Sequence, residues 1–128
     1  MSYENLAGMN PITLPATTGL PQYSLVGMNG SGQLVAASTG APIVGVAQDG
    51  TTDSTARNAC KIYPVGCVAP VKFVSDTAAA GDYVTVGAGG LGASGNGSTE
   101  WVIGQVVRGS SGGANRVLSV LLTNSGLQ

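Results

Sequence analysis

Histidine is absent from all 128 residues, which removes the commonest general base and a frequent zinc ligand together. Cysteine occurs only twice, at Cys60 and Cys67, with no Cys-x-x-Cys spacing, so a zinc site lacks ligands. Charge is nearly as scarce. Lys, Arg, Asp and Glu make up 9% of the chain, where an ordinary soluble domain carries about a quarter. The five bases, Arg57, Lys61, Lys72, Arg108 and Arg116, are scattered, and the formal net charge is −1. Binding phosphates calls for clustered Lys and Arg, so no nucleic-acid partner is expected. The longest apolar run falls far short of the roughly 20 residues that span a bilayer, so no membrane partner is expected either. Residues 1–10 show no basic stretch followed by an apolar one, which points to a chain made and folded in a cytoplasm. In that compartment Cys60 and Cys67 are expected as free buried thiols, although Pro64 and Gly66 between them allow a turn that would bring them together.

What the chain does contain is glycine, at 21 positions, with Ala, Ser, Thr and Val supplying much of the remainder and apolar residues reaching 43%. Disordered chains are usually charged and poor in β-branched residues, and this one is neither. The composition fits short strands joined by tight turns around a single core. The expected fold class is therefore all-β, a small barrel or sandwich with at most one or two short helical turns. So little charge is unusual for a free monomer and suggests a surface covered in an assembly.

Residues 1–19 read as an extended arm preceding a single β domain over 20–128. The arm holds Pro11 and Pro15 and isolated apolar residues, and positions before proline are pushed toward extended conformations. Tyr3, Leu6, Met9, Ile12 and Leu14 are its candidate contacts with a neighbouring surface. Strands are expected over 23–28, 33–37, 43–48, 60–63, 65–74, 83–87, 101–107 and 116–122. Asn29-Gly30 is the strongest hairpin signal, since both positions tolerate positive φ. Pro64 and Pro70 should place their strands at edges or bends. Residues 54–58 suggest a short helical turn. Asp76-Thr-Ala-Ala-Ala-Gly81, with an acidic cap, an alanine run and a glycine stop, suggests a helical corner of about one turn. Residues 88–98 read as a glycine-rich loop.

Two stretches of the chain match each other. Tyr23-Ser-Leu-Val-Gly27 resembles Tyr83-Val-Thr-Val-Gly87, and Gly30 then falls on Gly90. Ile43-Val-Gly45 matches Val102-Ile-Gly104, and Arg57 falls on Arg116. The offset stays near 60 residues, giving a pseudo-repeat over about 22–65 and 82–122. Two copies are too few for a solenoid and fit two halves packed face to face. Gly45 and Gly104 should then occupy equivalent buried β positions, with Gly50 and Gly109 at turns.

No chemistry is visible. Gly87-Ala-Gly-Gly-Leu-Gly92 has the spacing of a dinucleotide fingerprint, but the sequence after it cannot open the required helix. Asp49-Gly-Thr-Thr-Asp53 supplies too few carboxylates for a calcium loop and reads as a solvated turn. Asn29-Gly-Ser and Asn96-Gly-Ser have the glycosylation spacing but read as turns. Nucleophilic catalysis needs a base beside Ser, Thr or Cys, and neither Lys61, Lys72 nor any carboxylate stands in such an arrangement. The chain is expected to be no enzyme and to use no cofactor or metal. Tyr23, Tyr63, Tyr83 and Trp101, large among small residues, are candidate core or subunit-contact anchors, or less directly a sugar-stacking platform.

From Tyr23 to Leu122 the pattern resembles the small capsid cement, or head decoration, proteins of tailed bacteriophages. The likeness rests on the strand at 23–27, Pro-Ile-Val-Gly-Val-Ala at 42–47, Ala-Ala-Gly-Asp-Tyr-Val at 79–84, Val-Ile-Gly-Gln-Val-Val at 102–107 and Val-Leu-Ser-Val-Leu-Leu at 117–122. The cysteines and the proline-bearing arm have no counterpart in it. The resemblance implies a β-rich subunit, a homotrimer, on the capsid exterior of a virion assembled in the host cytoplasm. Its partner would be the major capsid protein, whose neighbouring subunits it would clamp together, with terminal segments as anchors. The alternative is a receptor- or glycan-binding fibre or tail module, which exposed aromatics in one groove would favour and a buried Trp101 would oppose. A soluble bacterial oligomer unrelated to virions is a third reading.

Overall fold

The computed structural model describes residues 12–17, 20–49, 59–74, 77–94, 101–108, 110–111 and 116–126. Twelve strands appear in it: β1 (Ile12–Pro15), β2 (Leu25–Met28), β3 (Leu34–Ala36), β4 (Gly45–Ala47), β5 (Ala59–Pro64), β6 (Val68–Lys72), β7 (Thr77–Ala78), β8 (Tyr83–Val86), β9 (Gly92–Ser94), β10 (Val102–Arg108), β11 (Ser110–Ser111) and β12 (Val117–Gly126). The one helical element among the described residues is a 3-10 turn, Ala88–Gly90. The all-β expectation holds.

Ten of these strands form two antiparallel sheets of five, in the orders β1-β5-β4-β2-β3 and β6-β12-β10-β8-β9, while β7 and β11 pair separately. The two orders are one order written twice. A parallel bridge joins Ala16 to Leu34, just beyond β1 and within β3, so the two edges of the first sheet meet. A second parallel bridge, Phe73 to Gly92, does the same for the other sheet. The Thr17 N–H donates to Leu34 O and the Val74 N–H to Gly92 O, each at 3.0 Å. The molecule is therefore two small closed barrels in tandem, and the duplication is structural.

Its register differs from the one the matched phrases suggest. Gly45 pairs with Val26 and Pro64, and Gly104 with Val84 and Leu122. Val26 thus corresponds to Val84, and Tyr23 to Gly81 rather than Tyr83. Tyr23 and Gly81 both carry positive φ, 66° and 93°. Each donates its N–H into the same place, Tyr23 to Ala47 O at 2.8 Å and Gly81 to Val106 O at 2.7 Å. The Tyr–Tyr match misleads by two residues, an even slip that preserves the alternation of faces and so leaves the pattern looking right. The repeat also starts earlier than expected, because β1 and β6 each open one copy.

Four other expectations are corrected. Ile12–Pro15 is not irregular arm but a strand paired with β5 along its full length. The stretch expected as a helical corner contains β7, whose Ala78 pairs with Ser110, and a turn at Gly81. An alanine run has helical propensity, but a non-local ladder overrides it. Part of the glycine-rich loop is strand β9, which forms a hairpin with β8. In the first hairpin, left-handed backbone falls on Gly32 (φ 80°) and not on Asn29-Gly30, because Asn29 Oδ1 accepts the N–H groups of Ser31 and Gln33 at 2.9 Å and folds the loop itself. Gly90 (φ 79°) stands at the equivalent place in the second hairpin. Pro70 lies in the outermost strand of the second sheet's order, as its missing N–H requires. The expected turn at 54–58, Gly50, Gly109 and the Asn96 sequon lie outside the described residues.

The first barrel is filled by Leu20, Val26, Leu34, Ala47, Cys60 and Ile62, with Ala16 and part of Leu14 and Val44. Their counterparts fill the second: Ala78, Val84, Gly92, Val106, Leu118 and Val120, with Phe73, Val71 and Ile103. One exchange between the two sets is reciprocal. Ala16 and Leu34 face each other in the first barrel, and Phe73 and Gly92 in the second, so a large residue stands on opposite strands of the same closing bridge. The second core extends beyond its barrel and includes Leu25, Ala37, Ile43 and Val46 of the first, which welds the two barrels together.

Candidate functional site

The weld between the barrels is where the predicted anchor residues meet. Tyr23, Tyr63 and Trp101 are each half-buried and pack against the shared core, together with Val65. Three backbone bonds tie the barrels here: Lys72 N–H to Tyr23 O at 2.9 Å, Gly40 N–H to Val86 O at 3.1 Å and Trp101 N–H to Gly40 O at 3.1 Å. Tyr83 is not at the weld and is no core anchor, which leaves it the subunit-contact half of its expectation. It is 37% exposed on the outer wall of the second barrel, and the corrected register matches it to Leu25 rather than Tyr23.

Asn124, a residue that composition and spacing did not single out, organises the junction. Its Oδ1 accepts Trp101 Nε1–H at 2.8 Å and the Ile43 N–H at 3.2 Å, while its Nδ2 donates to Ile43 O at 3.0 Å. The side chain thus extends the strand pairing of the second barrel onto the first and fixes the indole at the same time. Its own backbone has φ 50°, which asparagine tolerates better than most residues. Asn124→Ala leaves these groups unpaired and is expected to lower stability by about 2 kcal/mol. Denaturant unfolding monitored by Trp101 fluorescence checks this, with the emission expected to shift to the red. A loss within error of zero would remove Asn124 from the weld.

Burial, with Tyr23 and Cys67 beside it, pushes the Tyr63 phenol above its ordinary value of 10.0, against a smaller opposing effect of a Gln48 hydrogen bond. Burial likewise raises the Cys67 thiol above 9.0. In both cases the folded state holds the proton more tightly than the unfolded chain. The resulting stability is present below the ordinary values and is lost as pH rises through the raised ones. Urea midpoints are therefore expected to fall above about pH 9–10, and Tyr63→Phe should flatten the upper part of that decline. Neither cysteine is in a disulfide and both are buried, and Cys67 should react slowly with thiol reagents in the native state.

The remaining chemical candidates do not assemble. The glycine fingerprint at 87–92 is a hairpin turn followed by β9, with the Gly87 N–H donating to Leu91 O at 2.7 Å and no helix N-terminus to receive a phosphate. Asp49 Oδ1 accepts the Lys61 N–H at 3.0 Å, so its carboxylate is engaged within the fold, and Asp53 lies outside the described residues. Among the described residues no three His, Cys, Asp or Glu side chains form a group that could hold a metal ion. Of the five arm residues, Leu14 packs into the first barrel, Ile12 is 45% exposed on β1, and Tyr3, Leu6 and Met9 lie outside the described residues.

The surface does carry apolar residues in quantity. Ile12, Met28, Val68, Tyr83, Val107, Val117 and Leu121 are all at least 37% exposed. The closing phrase Val117-Leu-Ser-Val-Leu-Leu122 held the signal for part of this. It is apolar on both parities, where a strand with one wet face alternates.

No protein-family model matches the chain, and no curated protein matches it in sequence. Among solved structures, the fold is similar to the crystal structure of the N base of the head fiber gp8.5 of bacteriophage phi29. The TM-score is 0.68 at 18% identity, and the match covers 93% of this chain and 98% of that one. The likeness spans both barrels, so the tandem arrangement is shared.

Proposed function

We propose that this chain is a structural protein of a bacteriophage virion, a decoration or cement protein that sits on the outside of the head as a homotrimer. It would bind the major capsid protein and hold neighbouring subunits together, by surface area and without catalysis, cofactor or metal. The observation that carries the reading is the full-length likeness of the tandem barrels to the base of a phage head fiber. The scarcity of charge and the exposed apolar residues also favour a subunit that works while covered. Large interfaces of this kind gain about 25 cal/mol per Å² of apolar surface buried, less the cost of association. Of the proposed arm, residues before Ile12 keep the anchoring role, since Leu14 belongs to the first barrel's interior.

The test is binding of the tagged chain to heads of its parent phage, read by sedimentation and by electron microscopy. Saturable binding on the head exterior is expected, together with weaker occupancy after deletion of residues 1–11. Localisation to the tail, or no binding to heads, would overturn the reading. A second reading, the base of a longer head fibre, is favoured by the same structural neighbour. It predicts density projecting from the head beyond the two barrels. The glycan-platform version of that reading is disfavoured by Trp101, whose indole is half-buried and bonded to Asn124.

A further inference from the structure

The duplication allows each surface of one barrel to be compared with the same surface of the other. In the first barrel, Leu25 pairs with Val46 and Val46 with Tyr63, making one row across three strands on the outer wall. Leu25 and Val46 are fully buried there, and they belong to the core shared with the second barrel. The equivalent row on the second barrel is Tyr83, Gln105 and Leu121, and it continues to Val68 through the Leu121 pairing. This row is open: Tyr83 and Leu121 are each 37% exposed and Val68 43%. Gln105 lies between them with its amide turned to Gly81 O at 3.1 Å.

The opposite half of the contact behaves the same way. The first barrel's wall rests on one end of the second barrel, where Val86 and Ala69 are buried in the shared core. Their counterparts at the same end of the first barrel are Met28 and Ile12, which are 43% and 45% exposed. So both surfaces of the weld are used inside the chain, and the duplicate of each is left open, one on each barrel. Five of the seven large exposed apolar residues are accounted for by that rule.

We infer that the chain associates with further copies of itself head to tail, the Tyr83–Leu121–Val68 wall of one copy closing over the Met28–Ile12 end of the next. The contact repeats the weld between the two barrels of a single chain, which is what commits the occupant to a second copy. It is heterologous, so copies either close into a ring or continue as a filament, according to the rotation between barrels. The inference deepens the homotrimer in the proposed function but stands on the barrel geometry alone, without the virion.

The test uses the full chain in solution. Size-exclusion with light scattering at high protein concentration is expected to give a mass above one chain. Leu121→Arg and Met28→Arg, one on each half of the proposed contact, are each expected to return the chain to single-chain mass with circular dichroism unchanged. Mixed in equal amounts, the two variants retain one sound face each and are expected to form a one-to-one heterodimer that grows no further. A wild-type monomer overturns the inference. So does a response to Leu121→Arg alone, which marks a self-complementary face. If deleting residues 1–11 converts a monomer into an oligomer, the chain's own leading segment is the occupant and the second copy is not. Head binding by a variant that is monomeric in solution would sink the trimer while leaving the virion reading intact.

Discussion

Phe73→Ala is expected to lower the unfolding free energy by about 4 kcal/mol, and adding Gly92→Leu to the same chain is expected to restore a substantial part of it. The first figure is typical for emptying a fully buried phenylalanine site, and Phe73 is 1% exposed. The recovery follows from the first barrel, where the corresponding pair is Ala16 and Leu34. The double variant would rebuild that pair in the second barrel at nearly constant volume, the kind of exchange cores tolerate best. Gly92→Leu alone should destabilise by about 1–3 kcal/mol, because even a Cβ at Gly92 would stand 3.0 Å from both Phe73 Cε1 and Val71 Cγ1. A urea double-mutant cycle reads the coupling, with a favourable interaction of about 2 kcal/mol expected. Strict additivity would mean that the two barrels do not share a packing plan.

Gly45→Ala and Gly104→Ala should each destabilise by about 3 kcal/mol, at the upper end for overpacking. A Cβ at Gly45 would collide with the Tyr63 carbonyl oxygen and stand 3.1 Å from Ile62 Cδ1. At Gly104 the obstacles are the Leu121 carbonyl oxygen and Val120 Cγ1, the latter at 2.9 Å. Since the oxygens belong to the backbone of paired strands, neither can swing aside without breaking the ladder. Because Tyr63 corresponds to Leu121 and Ile62 to Val120, the two substitutions should fail by one mechanism and to similar extents. Thermal melting of the single variants checks this. A glycine that accepts alanine with a shift of only a degree or two would show that its strand can retreat.

Those two glycines also show how much of the molecule was legible beforehand. Each sits inside an apolar run, where glycine weakens a strand unless another backbone comes close, and that exposed both the β class and the duplication. The repeated tyrosine was a false landmark. Tyr23 holds a left-handed turn position that its true counterpart fills with Gly81, so identical letters marked different places and different letters marked the same one. The first strand was hidden by Pro11 and Pro15 and by its shortness, and it is defined by its partner β5 rather than by any pattern of its own. Asn124 was invisible for a related reason. A single polar residue near the end of a strand acquires its role only when residues 43 and 101 are brought to it. The exposed wall could be read only after the register was known, because exposure at Tyr83 and Leu121 gains meaning from burial at Leu25.

The two parallel bridges have a bearing on how a chain so poor in charge avoids pairing with its own kind through exposed strands. An open sheet presents a row of unpaired N–H and C=O groups that can template another strand, and proteins commonly guard such rims with lysine or glutamate. With 9% charged residues, this chain has few such guards. The Ala16–Leu34 and Phe73–Gly92 contacts remove the need for them by letting each sheet bite its own tail. Amyloid-type growth is thereby denied an open rim on either five-stranded sheet, in a chain whose sequence is rich in β-forming residues.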